Sequence, residues 1–148
     1  MTEKTLYTQR IKPLLDGIGG LVYNRIEVKG LSRGVPDITY SFNGHHGWIE
    51  LKYHPQQIKL DQPFKLNREL TASQRWWLTQ RGAIGGHCWV FVGTLEHFLI
   101  INYININKIF ENKPATDKKM TWSEVVNLAN YASRINTIDP IAVAHVLA

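Results

Sequence analysis

Two alternating runs of residues flank Asn43-Gly44, and this arrangement constrains the fold more than any other feature of the chain. Asn-Gly between runs of period two is a strong hairpin signal, because both residues tolerate the positive φ angles a tight turn needs. The sequence predicts a strand from Asp37 to Phe42, a turn at Asn43-Gly44-His45-His46, and a strand from Gly47 to Tyr53. Side chains alternate across a strand. Ile38, Tyr40 and Phe42 therefore share one face with Ile49, Leu51 and Tyr53, while Asp37 and Thr39 share the other with Trp48, Glu50 and Lys52. A four-residue turn sets Phe42 opposite Gly47, Asp37 opposite Lys52 and Thr39 opposite Glu50. Cross-strand neighbours of this kind lie a few ångströms apart.

The rest of the chain surrounds this hairpin with helices and further strands. A helix is expected over residues 3–16, with Tyr7, Ile11, Leu14, Leu15 and Ile18 on one face, Thr2 as its cap, and a kink or break at Pro13. Leu21 to Val28 reads as a strand, followed by a Gly-containing loop with Lys29 and Arg33. Residues 54–70, with Pro55 and Pro63, form a long polar loop of the sort that is functional or mobile. Thr71 or Ser73 caps a helix running to Arg81; strands follow at His87–Gly93 and His97–Asn102. Thr121 and Glu124 form a capping box ahead of a helix through about Ser133, and Asp139-Pro140 starts a last short helix, Ile141 to Leu147. The expected architecture is α/β (α+β): a mixed central sheet flanked by helices in residues 1–103, with residues 104–148 as a C-terminal helical extension of the same domain.

Composition narrows the function classes. The 148 residues are 44% hydrophobic and 20% charged, which fits one ordinary globular domain. Lys and Arg number 17 against 12 Asp and Glu, a formal charge of +5 that favours a polyanionic partner. A single cysteine, Cys88 in the apolar run Cys88 to Val92, excludes an intramolecular disulfide and a cysteine-based zinc cluster, and reads as a buried thiol. Neither a signal-peptide stretch at Met1–Thr5 nor an apolar run of membrane-spanning length is seen, so a cytoplasmic location is expected, in the host if the chain is phage-encoded.

The chemistry sits on the polar face of the hairpin. Asp37 and Glu50 on one surface repel unless a cation lies between them, and hard oxygen ligands suit Mg²⁺ or Mn²⁺. The backbone carbonyl of Leu51 is a further candidate ligand, and Lys52 is placed to orient a water and stabilise charge on a phosphate. A salt-bridged surface hairpin is the alternative reading of the same residues; the whole string, Gly34-Val35-Pro36-Asp37 followed by Trp48-Ile49-Glu50-Leu51-Lys52, favours the metal site.

This string resembles the PD-(D/E)XK nuclease superfamily, with Pro36-Asp37 as the PD and Glu50-Leu51-Lys52 as the E-x-K. It is similar in particular to the VRR-NUC (virus-type replication-repair nuclease) group, which shows G-x-P-D, E-x-K and then a Gln on the next helix, here Gln74 in Thr71-Ala72-Ser73-Gln74. The resemblance spans roughly residues 3–95. It implies a restriction-endonuclease-like core and metal-assisted cleavage, with Asp37 and Glu50 as ligands and Lys52 near the attacking water. Relatives often add an acid from the first helix; Glu3 is the candidate, although a first-turn acid also simply suits the helix dipole. Arg33, Lys59, Lys65, Arg68, Arg75 and Arg81 are candidate phosphate contacts. Trp76-Trp77 offer stacking surfaces, although helical spacing sends at least one to the core, and His45-His46 read as polar turn residues.

The resemblance therefore implies an endonuclease acting on DNA with Mg²⁺ or Mn²⁺, in recombination or repair, on branched DNA such as Holliday junctions. Compact nucleases of this kind in phages and mobile elements often act as homodimers, whose two symmetry-related sites suit a four-way junction. No membrane partner or small-molecule substrate is expected. A site-specific or nicking duplex endonuclease, a catalytically inactive nucleic-acid-binding module and an RNA-cleaving enzyme remain alternatives from the sequence.

Overall fold

The computed structural model describes residues 2–26, 34–110 and 119–148. The chain opens with α1 (Glu3–Leu6), a π-helical segment (Tyr7–Ile11) and α2 (Lys12–Asp16) as one continuous helical run. Thr2 caps it through a reciprocal box with Thr5. The expected face is the buried one: Tyr7, Ile11, Leu14, Leu15 and Ile18 are all in the core, joined by Leu6. The break anticipated at Pro13 takes a specific form. Pro13 brings no N–H and its ring crowds the preceding turn, and that turn is widened so that the Lys12 N–H donates to the Tyr7 carbonyl.

The described residues build one six-stranded sheet in chain order: β1 (Val22–Arg25), β2 (Ile38–Phe42), β3 (His45–His54), β4 (His87–Thr94), β5 (His97–Asn102) and β6 (Tyr131–Arg134). Every pairing is antiparallel except β3 with β4, which is parallel. The parallel step requires a crossover, and α3 (Ala72–Ala83) supplies it. The remaining helices are α4 (Tyr103–Ile109), α5 (Trp122–Leu128) and α6 (Pro140–Leu147). The sheet is covered on both faces. One face packs α1, α2 and α6 against Ile38, Tyr40, Ile49, Leu51 and Phe91; the other packs α3, α4 and α5 against Val90, Val92, Leu99 and Ile101. Among the described residues no helix is long and apolar enough to cross a membrane.

Three local expectations are revised. The hairpin closes with a two-residue turn, not four: Phe42 pairs with His45, and Asn43 and Gly44 take φ of 51° and 78°, as a type I′ turn requires. The register slides by two residues, placing Ile38 opposite Ile49 and Thr39 opposite Trp48. A two-residue slide preserves which face each side chain occupies. Continued by one residue, it sets Asp37 beside Glu50 and not beside Lys52. The helix expected through Ser133 stops at Leu128, and residues 131–134 become the edge strand β6. Val143 and Leu147 of α6 then enter the core, so the C-terminal residues carry a strand as well as helices. Residues 55–70 are a pinned strap. Phe64, Leu66 and Leu70 are buried, and the strap is tied to the start of α5 by Phe64 N–H to the Met120 carbonyl (2.7 Å), Trp122 N–H to Gln62 (3.0 Å) and Ser123 N–H to Leu60 (2.9 Å).

Candidate active site

β3 carries the site because it outruns β2. The β2–β3 pairing ends at Ile38 with Ile49, yet β3 continues to His54. Beyond that point the free edge of β3 is met by a side chain: the Leu51 N–H donates to Asp37 Oδ2 at 2.8 Å. The N–H and C=O of one strand residue face the same neighbour, so the Leu51 carbonyl opens into the space that Asp37 borders. Gly34 sets the approach of this Asp-bearing segment. Its φ is +81°, and a Cβ there would lie 2.5 Å from the Ser73 carbonyl oxygen, so the chain passes against the first turn of α3 where only glycine fits.

Glu50 and Lys52 project from β3 on the face shared with Trp48, and both are nearly inaccessible, at 4% and 6% exposure. Glu50 Oε1 accepts from Gln74 Nε2 at 3.2 Å, whereas its Oε2 is buried without a partner. Burial pushes the Glu50 carboxyl well above the carboxylate range; the adjoining Asp37 carboxyl pushes it further, and Lys52 opposes both. Glu3 closes the group from the start of α1. Its carboxyl is also raised, first by burial and then by Asp37, while Lys52 and Arg68 pull it down.

Gln74 owes its position to the helix cap. Its Oε1 accepts from the Thr71 N–H at 3.0 Å while Thr71 Oγ1 accepts from the Gln74 N–H at 3.1 Å. The amide is thereby locked with its Nε2 toward Glu50. The signal T-x-x-Q was present in the sequence as a capping box, but nothing in it showed that the same amide reaches a carboxylate across the fold.

Glu3, Asp37, Glu50, Leu51, Lys52 and Gln74 thus meet in one place, and Arg68 borders them in a pocket with Glu3 and Tyr53. The other sequence-predicted residues disperse. Arg75 is turned into the packing: its Nη1 donates to the Phe110 carbonyl at 3.1 Å and its guanidinium lies 5.8 Å from the Phe110 ring centroid. Arg81 lies 4.5 Å over the Trp77 ring. Trp76 is exposed, whereas Trp77 is half-buried against Trp48. His45 and His46 sit at the turn end of the hairpin, away from the carboxylates. Lys59 and Lys65 line a separate pocket with His54, a residue the sequence reading left inside a polar loop. Arg33 lies outside the described residues.

Among the described residues no three His, Cys, Asp or Glu side chains converge as a ready metal cage. The donor set nonetheless fits a magnesium-like ion, which keeps several waters and takes one or two carboxylates. Two neighbouring carboxyls, one with an orphaned buried oxygen, bordering the same space as the Leu51 carbonyl, are an arrangement that a cation relieves.

No family model and no curated protein matches this chain. Among solved structures it is similar to Hjc, a Holliday junction resolvase of Archaeoglobus fulgidus, with a TM-score of 0.50 and 18% sequence identity over 86% of this chain and 90% of that one. The likeness establishes the fold: the mixed sheet flanked by helices that the sequence predicts is the fold of that resolvase chain.

Proposed function

We propose that this chain is a divalent-metal-dependent endonuclease that hydrolyses phosphodiester bonds in branched DNA such as four-way junctions. The observation that carries the reading is the buried Glu50 carboxyl, one oxygen of which has no partner, next to Asp37 in register and on one strand face with the buried Lys52. Asp37, Glu50 and the Leu51 carbonyl would hold Mg²⁺ or Mn²⁺. When bound, such an ion polarises the phosphate and lowers the pKa of its water. Lys52 orients the attacking water and offsets charge developing on the phosphate oxygens. Gln74 fixes the Glu50 rotamer, and Glu3 adds a third carboxyl at the rim. Arg68 is positioned to meet the incoming strand.

The branched-DNA part rests on the shared fold with a protein described as a Holliday junction resolvase. The order Gly34-x-Pro36-Asp37, Glu50-x-Lys52, Gln74 supports the narrower placement in the VRR-NUC group. A homodimer presenting two such sites is the form that suits a four-way junction.

A labelled panel of linear duplex, single strand, flap and four-way junction tests the reading. Cutting of the junction with Mg²⁺, loss of cutting in EDTA and restoration by Mn²⁺ are expected, with a dimer by light scattering. Metal-independent cutting, or none on any substrate, would sink the metal-site reading. Defined cuts on linear duplex without junction preference would replace branched with ordinary duplex DNA as the substrate.

Gln74→Ala is expected to slow single-turnover cutting about tenfold and to lower stability by about 1 kcal/mol, because it removes a capping partner and leaves Glu50 Oε1 unsatisfied. Chemical denaturation alongside the kinetics separates the two effects. A variant that loses stability but cuts normally would make Gln74 a cap alone.

A further inference from the structure

β3 delivers one more side chain past Lys52 on the same face. His54 is 7% exposed, and its Nδ1 is buried with no hydrogen-bond partner. Its ring rests 5.5 Å from the ring of Trp122, which opens α5. Both rings line an open pocket of about 230 Å³. Lys59, Lys65, Gln57 and Gln62 of the 55–70 strap complete its lining, and no carboxylate lines it. Burial, and then the charge of Lys65, hold the His54 imidazole toward its neutral form.

We propose that this pocket is a second phosphate subsite, which grips the DNA strand next to the phosphodiester held at Glu50 and Lys52. Three observations converge on it. The charged groups lining the pocket are all cationic, and the amides of Gln56 and Gln62 stand beside them, the composition that phosphate oxygens select, while the Gln57 amide donates outward to Glu96 Oε1 at 3.4 Å. It lies on the strand face of Lys52, displaced by two residues, or roughly 6.6 Å of strand, which is the scale of a neighbouring nucleotide. The strap that carries both lysines is held in place by its backbone bonds to α5, so the pocket exists before any ligand arrives. The subsite deepens the nuclease reading and rests on it for the identity of the strand.

The test separates binding from cutting. Anisotropy of a labelled four-way junction and of a linear duplex is measured in EDTA across a salt series, with wild type, Lys59→Ala/Lys65→Ala and Lys59→Arg/Lys65→Arg. The alanine pair is expected to weaken binding about tenfold and to flatten the slope of log K against log salt by about one to two units, as loss of one or two phosphate contacts predicts. The arginine pair is expected to restore both. In parallel, hexathymidylate is expected to move the His54 ring resonances of wild type and not those of the alanine pair. Unchanged affinity and slope would overturn the subsite. So would a loss that arginine does not restore, which would mark the lysines as packing residues. Lysine-dependent binding without metal-dependent cutting would uphold the subsite and overturn the nuclease reading. Absence of binding to either substrate would overturn both.

Discussion

Lys52→Ala should reduce Mg²⁺-dependent cutting by about a thousandfold, the scale reported for removing one pre-positioned charge or donor from a reacting centre. The ammonium is buried, held on a strand by pairing with β4, and interacts with the carboxyls of Glu50 and Glu3. It pays no reorganisation cost when charge develops on the phosphate, and water is poorly placed to replace it. Because the group is so enclosed, it adds one contact among many to the hold on the DNA, and junction binding in EDTA should change by less than about threefold. The substitution also removes the one cation that lowers both Glu50 and Glu3, so circular dichroism at the assay pH is needed to establish that the variant is folded. Cutting within about tenfold of wild type by a folded variant would show that the reacting centre is elsewhere.

The metal-free protein should lose stability as pH rises, and Glu50→Gln should abolish most of that loss. Glu50 is raised above its ordinary value of 4.5 by burial and by Asp37. Its folded form therefore holds a proton that the unfolded chain releases. The stability from this group is present in full below about pH 4.5 and is lost as pH climbs toward the folded value. Between pH 5 and 8 the change should be on the order of 2 kcal/mol, with Glu3 acting in the same direction. Mg²⁺ should reverse it, because an ion bound to the ionised folded form stabilises that form alone. The glutamine variant should show only the shallow slope that Glu3 leaves, little response to Mg²⁺ and no cutting. Thermal melts across pH, with and without Mg²⁺, decide the matter; a wild-type stability that rises from pH 5 to 8 in EDTA would contradict the arrangement.

Much of this site was legible because strand faces are robust. The observed hairpin register differs by two residues from that of a four-residue turn, yet Asp37, Glu50 and Lys52 stay on one side, since only an odd slip exchanges faces. The turn itself held the correction: Asn43-Gly44 suits a two-residue loop, and adding His45-His46 to it gave up two strand positions. β6 was illegible for a different reason. Tyr131-Ala132-Ser133-Arg134 has little intrinsic strand preference, and it is extended because β5 offers it a partner edge. Phe64, Leu66 and Leu70 could have marked the 55–70 segment as anchored, but polar neighbours and two prolines hid them. The fate of Arg75 depends on a carbonyl at Phe110, a tertiary neighbour that no local pattern announces.

The parallel pairing of β3 with β4 leaves one connection of the sheet free to vary in length. A hairpin connection cannot change length freely without disturbing the register it sets. The β3–β4 crossover is under no such constraint: its two strands are joined through residues 55–86, and their pairing is independent of how long that path is. Both the Gln74 helix and the lysine-bearing strap were placed in this one connection, immediately after the strand that bears Glu50 and Lys52. Lengthening or recomposing this one segment would therefore change what approaches the Glu50–Lys52 face, while the carboxylates and the lysine stay where the strand puts them.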